Sequence, residues 1–261
     1  MTTLSVREQA VRLLRQGARN VDVARRLAVP PGTVSWWKHQ DLARTDELPG
    51  RKRSTCMHCF GDDVDAPAYS YLLGLYLGDG HITWPKQHRS PSLFISCDEK
   101  WPGIIDSVEH AMVQVMPLNK PCHVRRTGCR VVKLYSQHLY CYFPQHGPGK
   151  KHERTIALEP WQKEIVDAHP WAFLRGLIHS DGCRITNWAT RTVNGVVKRH
   201  EYPRYFFTKT STDIIRLFTD TLDAVGVQWK TSKPRATGQV NISVARKDSV
   251  ALMDAHIGAK Y

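Results

Sequence analysis

The chain has 261 residues, enough for one large domain or two ordinary ones with a sizeable apolar interior. Lys plus Arg number 37 against 24 Asp plus Glu, a net charge of +13, while 41% of residues are hydrophobic; this excludes a disordered basic tail and points to a folded protein with a polyanionic partner. Seven scattered cysteines exclude the dense, even framework of a small secreted domain and read as mostly reduced thiols. Early charges at Arg7, Glu8, Arg12 and Arg15, and the lack of a long uncharged apolar run later, exclude a signal peptide and a membrane span, so a cytoplasmic protein is expected.

In chain order, Val6, Ala10, Leu13 and Leu14 share one face of a helix that stops near Gly17, a residue free to adopt a left-handed cap. Asn20 is placed to cap a second helix over 21–27, and Pro30 and Pro31 open a third that reaches about His39. Residues 1–42 thus predict a small all-α helix-turn-helix with Ala24, Val29, Val34 and Trp37 in its core. This module resembles those of resolvases, sigma factors and transposases, which implies a DNA-reading helix exposing Thr33, Ser35, Trp36 and Lys38; a three-helix interaction module without DNA contact is the alternative. Residues 43–66, polar and carrying Pro49, Gly50 and the basic run Arg51 to Arg53, read as a linker. Within it, Cys56 and Cys59 form a lone Cys-x-x-Cys. They are either reduced linker thiols or half of a structural zinc site, whose remaining ligands would have to come from afar, from Cys122, Cys129 or Cys141.

From Tyr69 onward the chain repeats itself. The segment 72–80, Leu-Leu-Gly-Leu-Tyr-Leu-Gly-Asp-Gly, matches 174–182, Leu-Arg-Gly-Leu-Ile-His-Ser-Asp-Gly, at five of nine positions. After the first copy come β-rich runs at 81–84 and 92–97, an amphipathic helix over 101–116, and strands at 123–126 and 130–136. After the second come strands at 184–192 and 202–210 beyond an Asn194–Gly195 turn, a helix over 212–225, strands near 227–231 and 239–245, and a closing helix from Lys247. The prediction is an α+β chain with two pseudo-symmetric αββαββα repeats, 67–158 and 159–261.

On a helix, Gly74 and Gly78 lie on one face, and Gly176 and Ser180 occupy the equivalent places, so two backbones can approach closely. Asp79 and Asp181, each followed by a glycine, would then sit side by side at the C-terminal ends of the helices, where mutual repulsion and the helix dipole both oppose their charge. A divalent cation resolves that conflict, and hard oxygen ligands suit Mg²⁺. Singly, Asp-Gly after an apolar helix is an ordinary turn; carboxylates at both equivalent positions favour a shared site.

These two motif copies resemble the LAGLIDADG homing endonuclease family in its single-chain form, over roughly 69–261. The resemblance implies a monomeric, Mg²⁺- or Mn²⁺-dependent nuclease for double-stranded DNA, with Asp79 and Asp181 as the catalytic metal pair beside Gly80 and Gly182, and with Lys133 and Lys233 as lysines near the metals. It also implies saddle-shaped sheets in the major groove. Basic residues on the predicted strands suit that role: Arg125, Arg126 and Arg130 in the first repeat, and Arg184, Arg191, Lys198, Arg199, Arg204, Lys209, Lys230, Arg235 and Arg246 in the second. The sixth motif residue departs from the family pattern, being Leu77 in one copy and His179 in the other. Neither end of the chain carries the residues of a protein-splicing element, so a free-standing protein is expected. A non-cleaving transcription regulator on the same scaffold, of the WhiA type, is the main alternative, and an RNA maturase a lesser one.

Overall fold

The computed structural model describes residues 5–45, 56, 59, 61, 63–83, 90–232 and 238–261, and divides between Arg53 and Ser54 into two units. The first contains α1 (Val6–Arg15), α2 (Asn20–Arg26) and α3 (Pro31–Arg44). Ser5 and Glu8 cap α1 reciprocally, each side chain accepting the other's backbone N–H. Asn20 departs from expectation: Arg19 occupies the cap of α2 without a side-chain bond, and the Asn20 amide instead donates to Ser35 Oγ at 2.9 Å, tying α2 to α3. The third helix passes His39 because its polar end is held by α1, Arg7 donating to Gln40 and Arg15 to Asp41 at 2.7 Å. Ala10, Val23, Ala24 and Val34 form the buried centre, with Val29 and Trp37 packed against it. In the turn between α2 and α3, Ala28 takes φ +51°, a left-handed conformation that its small side chain tolerates.

The second unit contains the two repeats. The first runs α4 (Ala66–Leu77), β1 (Gly80–Thr83), β2 (Ser92–Asp98), α5 (Pro102–Val115), β3 (Cys122–Arg126), β4 (Cys129–Tyr135) and α6 (Leu139–Tyr142). An unpredicted helix, α7 (Pro160–Ala168), opened by Pro160 and a Glu159–Gln162 capping box, then leads to the second repeat. That repeat runs α8 (Pro170–Asp181), β5 (Gly182–Val193), β6 (Val196–Lys209), α9 (Thr212–Ala224), β7 (Lys230–Thr231), β8 (Val240–Val244) and α10 (Lys247–His256). Each sheet is four-stranded and antiparallel, in orders β1-β2-β4-β3 and β5-β6-β8-β7. Strand β6 begins six residues before the expected Tyr202. Its outer half is exposed on both faces, so it lacks an alternating burial signal and is fixed by pairing with β5 across the Asn194–Gly195 turn, where both residues have positive φ.

Register makes the repeats superimposable in sequence. Gly80 pairs with Ile95 as Gly182 pairs with Phe207, so Ile95 and Phe207 are counterparts. One face of each sheet is covered by helices: Leu93, Ile95, Val132 and Leu134 in the first, and Tyr205, Phe207, Ile242 and Val244 in the second, are buried in a common core. Every residue from Tyr69 to Leu77 is buried, which accounts for the lack of a polar face on α4.

Helices α4 and α8 meet at their glycines. A Cβ on Gly74 would strike the Phe173 carbonyl oxygen and come within 3.0 Å of the Gly176 Cα; one on Gly176 would strike the Tyr71 carbonyl oxygen and come within 3.0 Å of the Gly74 Cα. These obstacles are backbone atoms, which cannot rotate aside. Gly176→Val is therefore expected to lower unfolding stability by about 3 kcal/mol in denaturant titration. Gly147→Ala, where the nearest obstacle is a flexible Arg154 side chain at 3.5 Å, should change it little.

Candidate active site

The glycine contact delivers two acids to one place. Helix α4 closes at Gly78, whose N–H donates to the Gly74 carbonyl at 3.1 Å, and Asp79 follows in the turn before β1. Helix α8 runs two residues further in the motif than α4, ending on Asp181 itself. A Cβ on Gly78 would collide with Ser180 and lie 2.8 Å from Asp181 Oδ2, so the Asp181 carboxylate reaches across the helix pair to the residue preceding Asp79. Gly80 and Gly182 open the following strands, where a Cβ would fall against the backbone of Tyr76 and of Ile178. Asp79 keeps one side open to solvent and is otherwise walled by protein. Burial first, and then the Asp181 charge, push its carboxyl above the ordinary aspartate value, and Lys209, Lys260 and Lys151 oppose that rise.

Three lysines thus compensate the two acids and the two helix ends. Lys209 Nζ lies 2.5 Å from Asp181 Oδ2 and donates to the Gly78 carbonyl at 3.2 Å. Lys151 donates to the carbonyls of Tyr76, Leu77 and Gly78, the last at 2.8 Å, and Lys260 donates to that of Ser180 at 2.9 Å. Orphan carbonyls and the negative end of the macrodipole are therefore satisfied at both helices. The basic strand pattern marks Lys209 as a DNA contact, whereas Lys151 and Lys260 carry no periodic or spacing signal: one lies in the loop after α6, the other next to the last residue. Of the two lysines inferred from resemblance, Lys133 Nζ lies 4.5 Å from the Phe94 ring centroid and 4.3 Å from that of Tyr135, and Lys233 lies outside the described residues.

The two half-sites differ. Counting two residues on from Ile95 and Phe207 makes Cys97 the counterpart of Lys209. Where Lys209 neutralises Asp181, Cys97 presents a thiol pushed up to about 12 by burial and by Asp79. Beside it opens a cavity of about 240 Å³, lined in part by Asp79, Ser96, Cys97, Asp98 and Lys260. His179, at the sixth motif position, is buried between the helices with Nδ1 2.9 Å from the Tyr71 hydroxyl; burial and Arg175 push it down to about 4, so it is neutral at pH 7.

Strand alternation sorts the anticipated DNA contacts. Directly paired residues share a face, so the open face of the first sheet bears His81, Phe94, Lys133, Cys122 and Arg126, while Arg125 and Arg130 project on the helix-covered side. The open face of the second bears Arg191, Lys198, Arg204 and Lys230. Arg184, Arg199 and Lys209 lie on the other face, where Arg184 forms a bidentate pair with Asp254 at 2.6 and 2.8 Å and Arg199 pairs with Glu201 at 2.6 Å. Arg246, exposed ahead of α10, donates to Gln228, and Arg235 lies outside the described residues. In the first unit Ser35, Trp36 and Lys38 are exposed on α3 and Thr33 is half-buried.

The Asp79 carboxyl, raised in part by the Asp181 charge, and the Asp181 carboxylate together form a hard oxygen donor set suited to Mg²⁺ or Mn²⁺, and the open side of Asp79 leaves access to it. No family model matches the sequence, and no curated protein matches it. Among solved structures, the chain is similar to the homing endonuclease I-DmoI in complex with DNA and manganese, at 16% identity over 75% of this chain and 98% of that one, with a TM-score of 0.47. It is likewise similar to the LAGLIDADG meganuclease I-AabMI bound to uncleaved DNA, at 13% identity over 72% and 82% and a TM-score of 0.47. The N-terminal LAGLIDADG domain of DUF199/WhiA is similar at 12% identity over 74% and 83%, with a TM-score of 0.46.

Burial and the neighbouring Lys209 push Lys151 down to about 7. Its folded value thus lies below that of an unfolded lysine, and the unfolded chain binds the extra proton. The resulting cost is complete below about pH 7 and is relieved as pH climbs toward the ordinary lysine value of about 10.4. In metal-free buffer, the stability of the wild type relative to Lys151→Met is expected to rise between those limits, as read by denaturant titration at each pH.

Proposed function

We propose that the protein is a divalent-metal-dependent endonuclease that cleaves double-stranded DNA at a specific site. It acts as a monomer whose two repeats each engage half of the target, with α3 adding a further DNA contact. The observation that carries this reading is the convergence of Asp79 and Asp181 across the Gly74–Gly176 contact. Held there, a Mg²⁺ or Mn²⁺ ion would activate water and stabilise the leaving oxygen of a phosphodiester. Lys209 fixes the Asp181 carboxylate, Lys151 and Lys260 hold the helix ends, and the cavity beside Cys97 leaves room next to Asp79. The open sheet faces offer Arg126, Arg191 and Lys198 to phosphates and base edges.

One feature favours the second reading, a DNA-binding regulator without cleavage: Asp181 already has its charge matched by Lys209. Selection of bound duplexes from a random library, followed by incubation with Mg²⁺ or Mn²⁺, separates the two. The nuclease cuts a bound target, and Asp79→Asn and Asp181→Asn each abolish cutting by a factor of roughly 10³ or more, the scale of a lost transition-state electrostatic contact, with binding retained. Tight binding that is equal in EDTA and Mg²⁺, with no cleavage by the wild type, would establish the regulator.

Face assignment gives a separate expectation for binding. Arg126→Ala and Arg191→Ala should each weaken affinity and reduce the slope of log affinity against log salt by about 1. Arg125→Ala and Arg184→Ala, on the other faces, should leave that slope unchanged in fluorescence-anisotropy titrations.

A further inference from the structure

We propose that Cys56, Cys59, His138 and Cys141 bind one structural zinc ion. One ligand atom from each residue lies within 4.8 Å of all the others, and among the described residues no other three His, Cys, Asp or Glu side chains converge in this way. Cys59 Sγ is 3.3 Å from His138 Nδ1 and 4.0 Å from Cys141 Sγ. A tetrahedral zinc with bonds of about 2.3 Å to sulfur and about 2.0 Å to nitrogen has edges of roughly 3.8 Å between sulfurs and roughly 3.5 Å between sulfur and nitrogen. The two separations from Cys59 Sγ match those edges to within a few tenths of an ångström, and the remaining ligand atoms, all within 4.8 Å of one another, need only a small inward shift to close on the ion.

Local structure presents the ligands in two pairs. The Cys59 N–H donates to the Cys56 carbonyl at 3.1 Å, a turn that brings both thiols to one side. His138 caps α6, and its carbonyl accepts from the Cys141 N–H at 2.9 Å, so imidazole and thiol lie three residues apart on one helix face. Three thiolates and a neutral imidazole form a soft set that selects zinc over Mg²⁺. Of the distant ligands the sequence allowed, Cys141 arrives; Cys122 and Cys129 lie on β3 and β4, and the fourth position falls to His138. The ion would pin the chain ahead of α4 to α6, the element that precedes the loop carrying Lys151. The site shares no ligand with Asp79 or Asp181, so this inference stands apart from the proposed nuclease.

Elemental analysis of the full chain, purified without chelator, is expected to give one zinc per chain. Cobalt(II) added to stripped protein should then produce the thiolate charge-transfer and tetrahedral d–d bands of a three-sulfur site. Cys59→Ser and Cys141→Ser should each weaken zinc binding at least ~10-fold, whereas Asp79→Asn and Cys129→Ser should retain it. His138→Cys, which keeps four ligands and guards against loss by misfolding, should retain zinc and shift the cobalt spectrum toward a four-thiolate site. Isolation of the chain with a different metal, without metal and with all seven thiols titratable, or with a Cys59–Cys141 disulfide overturns the proposal, as does undiminished zinc in Cys141→Ser.

Discussion

The backbone contact between Gly74 of α4 and Gly176 of α8 is the constraint on which the second unit depends. It sets the separation of two helices at the distance allowed by Cα atoms rather than side chains, and all else at the helix ends follows. A side chain at either position would drive the helices apart and carry Asp79 away from Asp181. Close approach also concentrates unfavourable charge, because two carboxylates and two negative helix ends meet in one cleft. The fold answers with Lys151, Lys209 and Lys260, drawn from three unrelated segments and aimed at the carbonyls and at Asp181. A cluster of this kind is held by mutual compensation, since removing one member leaves another buried charge without its partner.

The pseudo-symmetry is broken where chemistry would take place. Lys209 and Cys97 occupy equivalent strand positions, so one acid is ion-paired and the other faces a cavity. The sheets depart from symmetry as well: Lys133 stacks between Phe94 and Tyr135, but its register counterpart is Ser243, to which Arg204 from the neighbouring strand donates while stacking on Tyr202 and Phe206. Each open face therefore holds a cation over aromatic rings, supplied by a different strand. Cation–π contacts of this sort fix a charge in place without neutralising it.

Much of the architecture was legible because local rules and the repeat agreed. The motif copies placed α4 and α8, the Asn194–Gly195 pair placed the β5–β6 turn, and period-two and period-3.6 patterns placed most strands and both flanking helices. Less legible were features whose partners come from elsewhere. Asn20 looks like a helix cap until α3 offers Ser35, and the outer half of β6 has no burial pattern because neither face is covered. The basic residues were countable in the sequence, but their faces depend on register, which moves every second side chain to the opposite side. Arg125 and Arg126 are neighbours in sequence and opposites in space.

By itself, then, the sequence determined a duplicated α+β chain behind three short helices, the small residues at the helix crossing, and the paired acids that follow them. Those features are encoded within a dozen residues of one another, or in a direct repetition, where spacing alone carries the information. Tertiary structure decided which lysines reach the acids, which half-site is ion-paired, which arginines face outward, and that His138 and Cys141 meet Cys56 and Cys59. Each of these is a contact across dozens of residues, governed by helix packing and strand register, and no local pattern records it.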